Sequence, residues 1–121
     1  MPQITVETSP ALDHVDWSAF ALALHPVIVE IAAARLEACK LRTLRTEDEI
    51  VGDVVATGTG GPAIVHVGIA LLAGRSDETK AKLTEATLEL LREHIEPTDG
   101  VTLHVSVEVR DLDPSYRKFE A

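Results

Sequence analysis

The first third of the chain shows two periods of hydrophobic residues. Residues 2–8 (PQITVET) alternate between apolar and polar positions, which predicts a half-buried strand. Residues 14–36 repeat apolar side chains at steps of three and four, which predicts a helix. Pro26 lies inside that pattern and is expected to kink or divide the helix. The β-branched residues 27–29 leave a strand open as an alternative there, although the flanking alanines favour helix. Residues 38–45 alternate again and predict a second strand.

The second half repeats this layout. Residues 63–72 (AIVHVGIALL) are almost continuously apolar, which predicts a central strand covered on both faces. Ser76 is a suitable N-cap for a helix over residues 77–95, whose repeating leucines are expected to face the core. Residues 101–109 (VTLHVSVEV) alternate and predict the last strand.

These elements form one α+β domain over residues 1–121. It consists of a β-α-β unit (1–46), a connection (47–62), a second β-α-β unit (63–110) and a polar, irregular tail (111–121). Crossovers through helices imply parallel strands within each unit, so we expect both helices on one face of a mixed four-stranded sheet. Within the connection, VGDVVA favours a strand extension, and residues 57–62 (TGTGGP) a flexible glycine-rich loop.

Self-association is expected because leucine and valine populate both sides of residues 63–72. The helices cover only one face of the sheet, and the apolar residues predicted on the other face would need a partner.

Composition excludes several classes of function. The chain has 121 residues, a net charge of −9 and only four aromatic side chains. An acidic protein with few aromatic residues is suited neither to binding a phosphate backbone nor to stacking on bases, so we expect no nucleic-acid partner.

The single cysteine, Cys39, excludes an intrachain disulfide framework and is interpreted as a small buried hydrophobic residue. The most apolar stretch, residues 19–34, is too short to cross a bilayer. The N-terminus lacks the features of a signal peptide, so the expected location is the cytoplasm, away from membranes.

Pro2 is the first candidate for chemistry. Removal of Met1 would leave a secondary amine at the start of a strand, and an α-amino group can act as a general base near neutral pH. Many chains begin with Met-Pro without using it, so this feature alone is weak.

Three arginines form the second candidate set. Arg42 and Arg45 belong to the second predicted strand, and Arg75 follows the third strand in an AGRS turn. Arginines in an acidic protein suit a carboxylate ligand through bidentate pairing. The alternative is that each arginine is solvated or paired with a surface carboxylate.

Other motifs carry less weight. The five histidines show no metal-ligand spacing, and His66 and His104 are interpreted as packed or interface residues of strands. The TGTGGP segment lacks both the Lys-Ser/Thr of a P-loop and a GxGxxG pattern.

Several segments together resemble the 5-carboxymethyl-2-hydroxymuconate isomerase family of the tautomerase superfamily. They are MPQITVE at the start, LHPVIV in the first helix, KLRTLR on the second strand, IVHVGIALLAGRSDE across the third strand and helix start, and SVEVRDLDP at the last strand. The AGRS turn and the last segment are the more specific parts.

The resemblance implies two β-α-β units per subunit, a homotrimer, and neither metal nor organic cofactor. It implies Pro2 as catalytic base and Arg42 and Arg75 as substrate-binding residues, with Arg45 as the alternative to Arg42. The implied substrate is an unsaturated 2-hydroxy or 2-oxo di- or tricarboxylate from ring-cleavage catabolism. Two alternatives stay open: a proline-based dehalogenase or decarboxylase, and a non-catalytic oligomeric binding protein that kept the fold.

Overall fold

A computed structural model describes residues 2–57 and 60–121 of the chain. Two helices and four long strands make up the domain, with a short hairpin between its halves. The elements are β1 (Gln3–Thr8), α1 (Trp17–Ala32), β2 (Lys40–Arg45), β3 (Ile50–Val51), β4 (Val54–Val55), β5 (Gly61–Leu71), α2 (Asp77–His94) and β6 (Val101–Asp111).

The long strands form one mixed sheet in the order β2-β1-β5-β6. β1 and β2 are parallel, β5 and β6 are parallel, and the two central strands β1 and β5 are antiparallel. The predicted parallel pairing within each unit and the mixed four-stranded sheet are thus confirmed. The antiparallel central pair brings the start of β1 beside the end of β5.

Helix α1 is one continuous element. Asp16 caps it by accepting a hydrogen bond from the backbone N–H of Ala19 at 2.9 Å. Pro26 does not divide it, because this proline lies on the exposed side of the helix. Because proline has no N–H, Pro26 leaves the Leu22 carbonyl without its helical hydrogen bond. Leu22 is 75% exposed. Residues 27–29 are helical, so the strand alternative is wrong.

Helix α2 begins where its sequence predicts. The Ser76 hydroxyl accepts from the Thr79 N–H at 3.1 Å, and acidic residues occupy the positive end of the helix dipole. Leu83, Thr87 and Leu91 are buried on its inner face. Both helices pack on one side of the sheet, and the core between them and the strands is built from large apolar side chains. Its fully buried members include Ile4, Val6, Phe20, Leu24, Ile28, Val65, Val67, Ile69 and Leu71.

The connection differs from its prediction. VGDVVA does not extend a strand of the sheet; it lies in the separate β3–β4 hairpin, where Ile50 pairs with Val55 and Val51 with Val54. The turn of this hairpin contains Gly52 at φ +61°, a conformation that favours glycine. Of the predicted loop at residues 57–62, residues 58 and 59 lie outside the described part of the chain, and 61 and 62 already belong to β5.

The face of the sheet away from the helices, here called the open face, is more polar than expected. Val65 and Val67 both lie on the helix side of β5. Ile64, His66 and Gly68 alternate with them and lie on the open face. The interpretation that valine populates both sides of this strand is therefore wrong, because alternation places both valines on one side. Most other open-face positions are polar or charged, such as Gln3, Thr5, Glu7, Ser106, Glu108 and Arg110. Burial of a large apolar face is not what would drive association of this protein.

Candidate functional site

Pro2 lies immediately before β1, in the middle of the sheet. Its carbonyl accepts a hydrogen bond from the Lys40 N–H at 3.2 Å, which ties it to the start of β2. On the other side Gln3 pairs with Ala70, so continuation of that register places Pro2 beside Leu71, the last residue of β5. Pro2 itself is buried. Two strands therefore hold the position of this residue from both sides.

Arg75 belongs to the same end of the sheet. It follows β5 by four residues, and its guanidinium donates from Nη1 to the Leu72 carbonyl at 3.1 Å. Nε donates to the carbonyl of Ala32, the last residue of α1, at 2.9 Å. Because a guanidinium has five N–H donors, these two bonds fix its plane and leave donors for a ligand.

Arg42 reaches the same end from β2. Its backbone lies opposite Thr5, and its side chain turns back to donate from Nη2 to the Gln3 side-chain carbonyl. Gln3 is the residue directly after Pro2. The exposed Arg42 guanidinium thus lies on the open face, bound to the side chain of the residue after Pro2, whereas alternation directs the buried Pro2 ring to the helix side.

Arg45 lies elsewhere. It pairs with Thr8, at the far end of β1 and roughly 16 Å along the strand from Gln3. Its Nε donates to both carboxylate oxygens of Asp13 at 3.0 Å, and this hydrogen-bonded carboxylate raises the pKa of Arg45. Of the three predicted arginines, Arg42 and Arg75 lie at the Pro2 end of the sheet, Arg42 on the open face and Arg75 against the end of α1. Arg45 lies in an ion pair with a surface carboxylate at the other end.

A shallow trough of about 260 Å³ crosses the open face, and its lining includes Arg42 but neither Pro2 nor Arg75. Gly68 and Ala70 lie on its floor, where small side chains leave space, and Arg42 and Arg110 line it from the two edge strands. Glu7 and Glu108 also line the trough, so its two cationic side chains are balanced by two carboxylates and a carboxylate ligand would have to pair with the guanidinium groups individually.

Sequence reasoning missed three polar residues near Pro2. Gln3 and Arg110 are polar positions of alternating strands, and alternation was the signal that could have placed them on the open face. Tyr116 gave no signal, because it lies in the tail after β6. Its hydroxyl accepts a hydrogen bond from the Gln3 amide at 3.1 Å.

Cys39 and His66 have ordinary contacts. The Cys39 Sγ lies 3.6 Å from the Arg35 carbonyl, and burial raises the pKa of this thiol, which disfavours the nucleophilic thiolate. His66 Nδ1 is 2.6 Å from the Ser106 hydroxyl on the neighbouring strand. Within residues 2–57 and 60–121, no group of three or more His, Cys, Asp or Glu side chains is placed to hold a metal ion.

Comparison with known proteins decides the family. The sequence model of 5-carboxymethyl-2-hydroxymuconate isomerase matches residues 2–120. The chain belongs to the 5-carboxymethyl-2-hydroxymuconate isomerase family. The family match spans both β-α-β units and reaches into the tail. Among curated protein sequences, none matches the chain significantly.

Solved structures agree with the tautomerase fold of this family member. A 5-carboxymethyl-2-hydroxymuconate isomerase from Deinococcus radiodurans R1 superposes with a TM-score of 0.83 at 20% identity, over 98% of this chain and 90% of that one. A 5-carboxymethyl-2-hydroxymuconate delta-isomerase gives 0.80 at 12% identity, over 100% and 89%. A fused 4-OT described as a wild-type symmetric trimer gives 0.74 at 22% identity, over 94% and 89%.

The two helices of the described residues show no membrane-spanning character. Neither is long and apolar enough to cross a bilayer.

Proposed function

We propose that this family member is an isomerase that moves a proton within an unsaturated 2-hydroxy or 2-oxo di- or tricarboxylate, such as 5-carboxymethyl-2-hydroxymuconate. The Pro2 nitrogen is the general base, and Arg42 and Arg75 bind the substrate. The placement of Pro2, Arg42 and Arg75 at one end of the sheet carries the proposal. Family membership supports the isomerase chemistry.

The proton transfer needs one basic nitrogen. With Met1 removed, Pro2 is a secondary amine; it takes the hydroxyl proton of a 2-hydroxy dienol, or a carbon-bound proton of the 2-oxo form, and delivers it to another carbon of the conjugated system. The O–H bond of the dienol, or the C–H bond of the 2-oxo form, breaks heterolytically and leaves its electrons in a dienolate, and the prolinium N–H then protonates a carbon of the conjugated system. No electrons are gained or lost overall, so the step needs no redox partner.

The dienolate must be stabilised where its charge develops. Guanidinium groups aimed at carboxylate and enolate oxygens provide preorganised donors for that charge. Arg75 is suited to this role, because two backbone carbonyls fix its plane before substrate arrives. Positive charge near the nitrogen also disfavours the prolinium, which keeps more of the base in its active form near neutral pH.

Arg42 and Arg45 provide a matched pair for testing the site. Arg42→Ala is expected to raise KM for a carboxylated dienol about tenfold or more, since it removes a charged hydrogen-bonding partner. Arg45→Ala also removes an arginine side chain from β2, but this arginine is paired with Asp13. Its KM should therefore stay within about twofold of the wild-type value.

The assay follows the ultraviolet change of 2-hydroxymuconate-type dienols with protein whose intact mass shows that Met1 is absent. Equal KM values for wild type and Arg42→Ala would contradict the assignment of Arg42. A chain that retains Met1 and turns over no dienol would favour the non-catalytic binding protein.

A further inference from the structure

The tail after β6 runs back across the end of the sheet that carries Pro2. The Leu112 N–H donates to the Leu71 carbonyl at 2.6 Å, which holds the start of the tail against the end of β5. Further along, the Glu120 carboxylate lies 3.3 Å from the Lys40 ammonium, and this contact lowers the pKa of Glu120. The tail therefore passes from β6 over the central strands to β2.

A turn fixes Tyr116 midway along this path. The Tyr116 N–H donates to the Asp113 carbonyl at 2.9 Å, and the Asp113 carboxylate accepts from the Ser115 N–H at 2.8 Å. Tyr116 is half-buried, in contrast to the exposed residues on either side of it. Its hydroxyl is thus held at the Gln3 amide.

Tyr116, Gln3 and Arg42 form a hydrogen-bonded chain with a defined direction. The Gln3 carbonyl oxygen accepts from Arg42, so its amide nitrogen must face the other way, where it donates to the Tyr116 hydroxyl at 3.1 Å. A guanidinium has no acceptor, so rotation of the Gln3 amide by 180° would set donor against donor at Arg42. The Arg42 guanidinium therefore sets the amide orientation, and the Tyr116 hydroxyl, which can accept or donate, holds the amide in place from its other end.

From this chain of contacts, and on the basis of the proposed function, we propose that Tyr116 is a positioning residue for substrate carboxylate: through Gln3 it holds the Arg42 guanidinium on the open face at the Pro2 end of the sheet. An exposed arginine loses much side-chain entropy when it binds a ligand, and a side chain already held in place loses less. The tail thereby contributes to substrate affinity without touching the reacting atoms.

Kinetics of Tyr116→Phe test the role, because this variant keeps the ring and removes the hydroxyl. Loss of one neutral hydrogen bond in the chain predicts a rise in KM of about two- to tenfold, with kcat within about twofold of wild type. Ser115→Ala is the control, since Ser115 contributes its backbone N–H to the turn and its side chain is exposed. Its KM should equal that of wild type.

A double-mutant cycle separates positioning from a general structural effect. In the Arg42→Ala background, Tyr116→Phe should change KM no further, because the residue it positions is gone. A wild-type KM for Tyr116→Phe, or an equal effect in both backgrounds, would overturn the inference.

Calorimetric binding of adipate, a saturated dicarboxylate, provides a readout independent of turnover. Weaker adipate binding in Tyr116→Phe and Arg42→Ala, without turnover of any dienol, would leave this inference standing and refute the proposed isomerase. Turnover that depends on Arg42, together with adipate affinity and KM unchanged in Tyr116→Phe, would refute this inference alone.

Discussion

The arginines near the sheet differ in what already engages their guanidinium groups. Arg45 is held by the Asp13 carboxylate, Arg75 by two backbone carbonyls, and Arg42 by a side-chain amide. An arginine bound to carbonyl groups keeps its full positive charge for a ligand, whereas one paired with a carboxylate is already neutralised. This difference, rather than distance along the sequence, distinguishes Arg42 and Arg75 from Arg45.

His25 gives a pH dependence at the residue scale. Burial lowers its pKa below the usual value of 6.5, and among the described residues its buried Nε2 has no hydrogen-bond partner. As pH falls below about 6.5, the unfolded chain takes up this proton first, so the free energy of unfolding should decrease. His25's contribution to stability is therefore present above its unfolded-state pKa and is lost with acidification.

Urea unfolding at about pH 7.5 and about pH 5.5 measures this effect. His25→Gln should show a smaller loss of stability on acidification than wild type. His14→Gln, which changes an exposed histidine, should keep the wild-type loss. If wild type and His25→Gln lose the same stability, the buried imidazole is not the cause.

At the scale of elements, Arg75 links the end of α1 to the segment after β5. The last carbonyls of a helix have no intrahelical partner, and the Ala32 carbonyl receives the Arg75 Nε–H instead. Ala33 follows in the left-handed conformation at φ 55°, which ends the helix. The same side chain that is proposed to bind substrate therefore also holds two elements together.

Arg75→Ala should lower the free energy of unfolding by about 1–2 kcal/mol, because it removes two hydrogen bonds from a half-buried cation. Arg92→Ala is the control, since Arg92 is exposed and its ion pair with Glu89 is an i,i+3 contact on the helix surface. Its effect should stay within about 0.5 kcal/mol. Chemical denaturation measures both, and equal stabilities of Arg75→Ala and wild type would show that these bonds contribute nothing.

Periodicity predicted the elements well and their distant contacts poorly. The alternation in residues 101–109 and the Ser76 cap are local signals, and both β6 and α2 form where those signals lie. Tyr116 is fixed by contact with Gln3, a residue 113 positions earlier, which no local pattern encodes. Likewise, the continuity of α1 through Pro26 depends on which side of the helix faces solvent, a property of the packed domain.

At the scale of the molecule, the open face is too polar to stabilise the proposed homotrimer by apolar burial, so another surface must form the contact between subunits. β2 and β6 are the edge strands of the sheet, and β6 is 11 residues long. Unpaired strand edges invite pairing with another chain. The hairpin residues Ile50 and Val55, each 61% exposed, add apolar surface beyond the sheet. Edges and hairpin together favour association at the rim of the sheet.

Light scattering after size exclusion tests the assembly. We expect a particle of three times the 13.0 kDa chain mass, independent of salt because the exposed hairpin contacts are apolar. Val55→Lys, in the hairpin, should weaken the particle, whereas Glu108→Lys on the open face should not. A monomer of wild-type protein at all concentrations would contradict the trimer.

The proposed isomerase depends on a free Pro2 nitrogen that transfers the substrate proton. The most direct measurement compares dienol turnover by the chain that starts at Pro2 with turnover by the same chain carrying two extra glycines before Pro2, which make that nitrogen an amide. If the Pro2 nitrogen is the base, kcat should fall about a hundredfold or more, with an unchanged circular dichroism spectrum and particle mass. Equal turnover by the two proteins would contradict it.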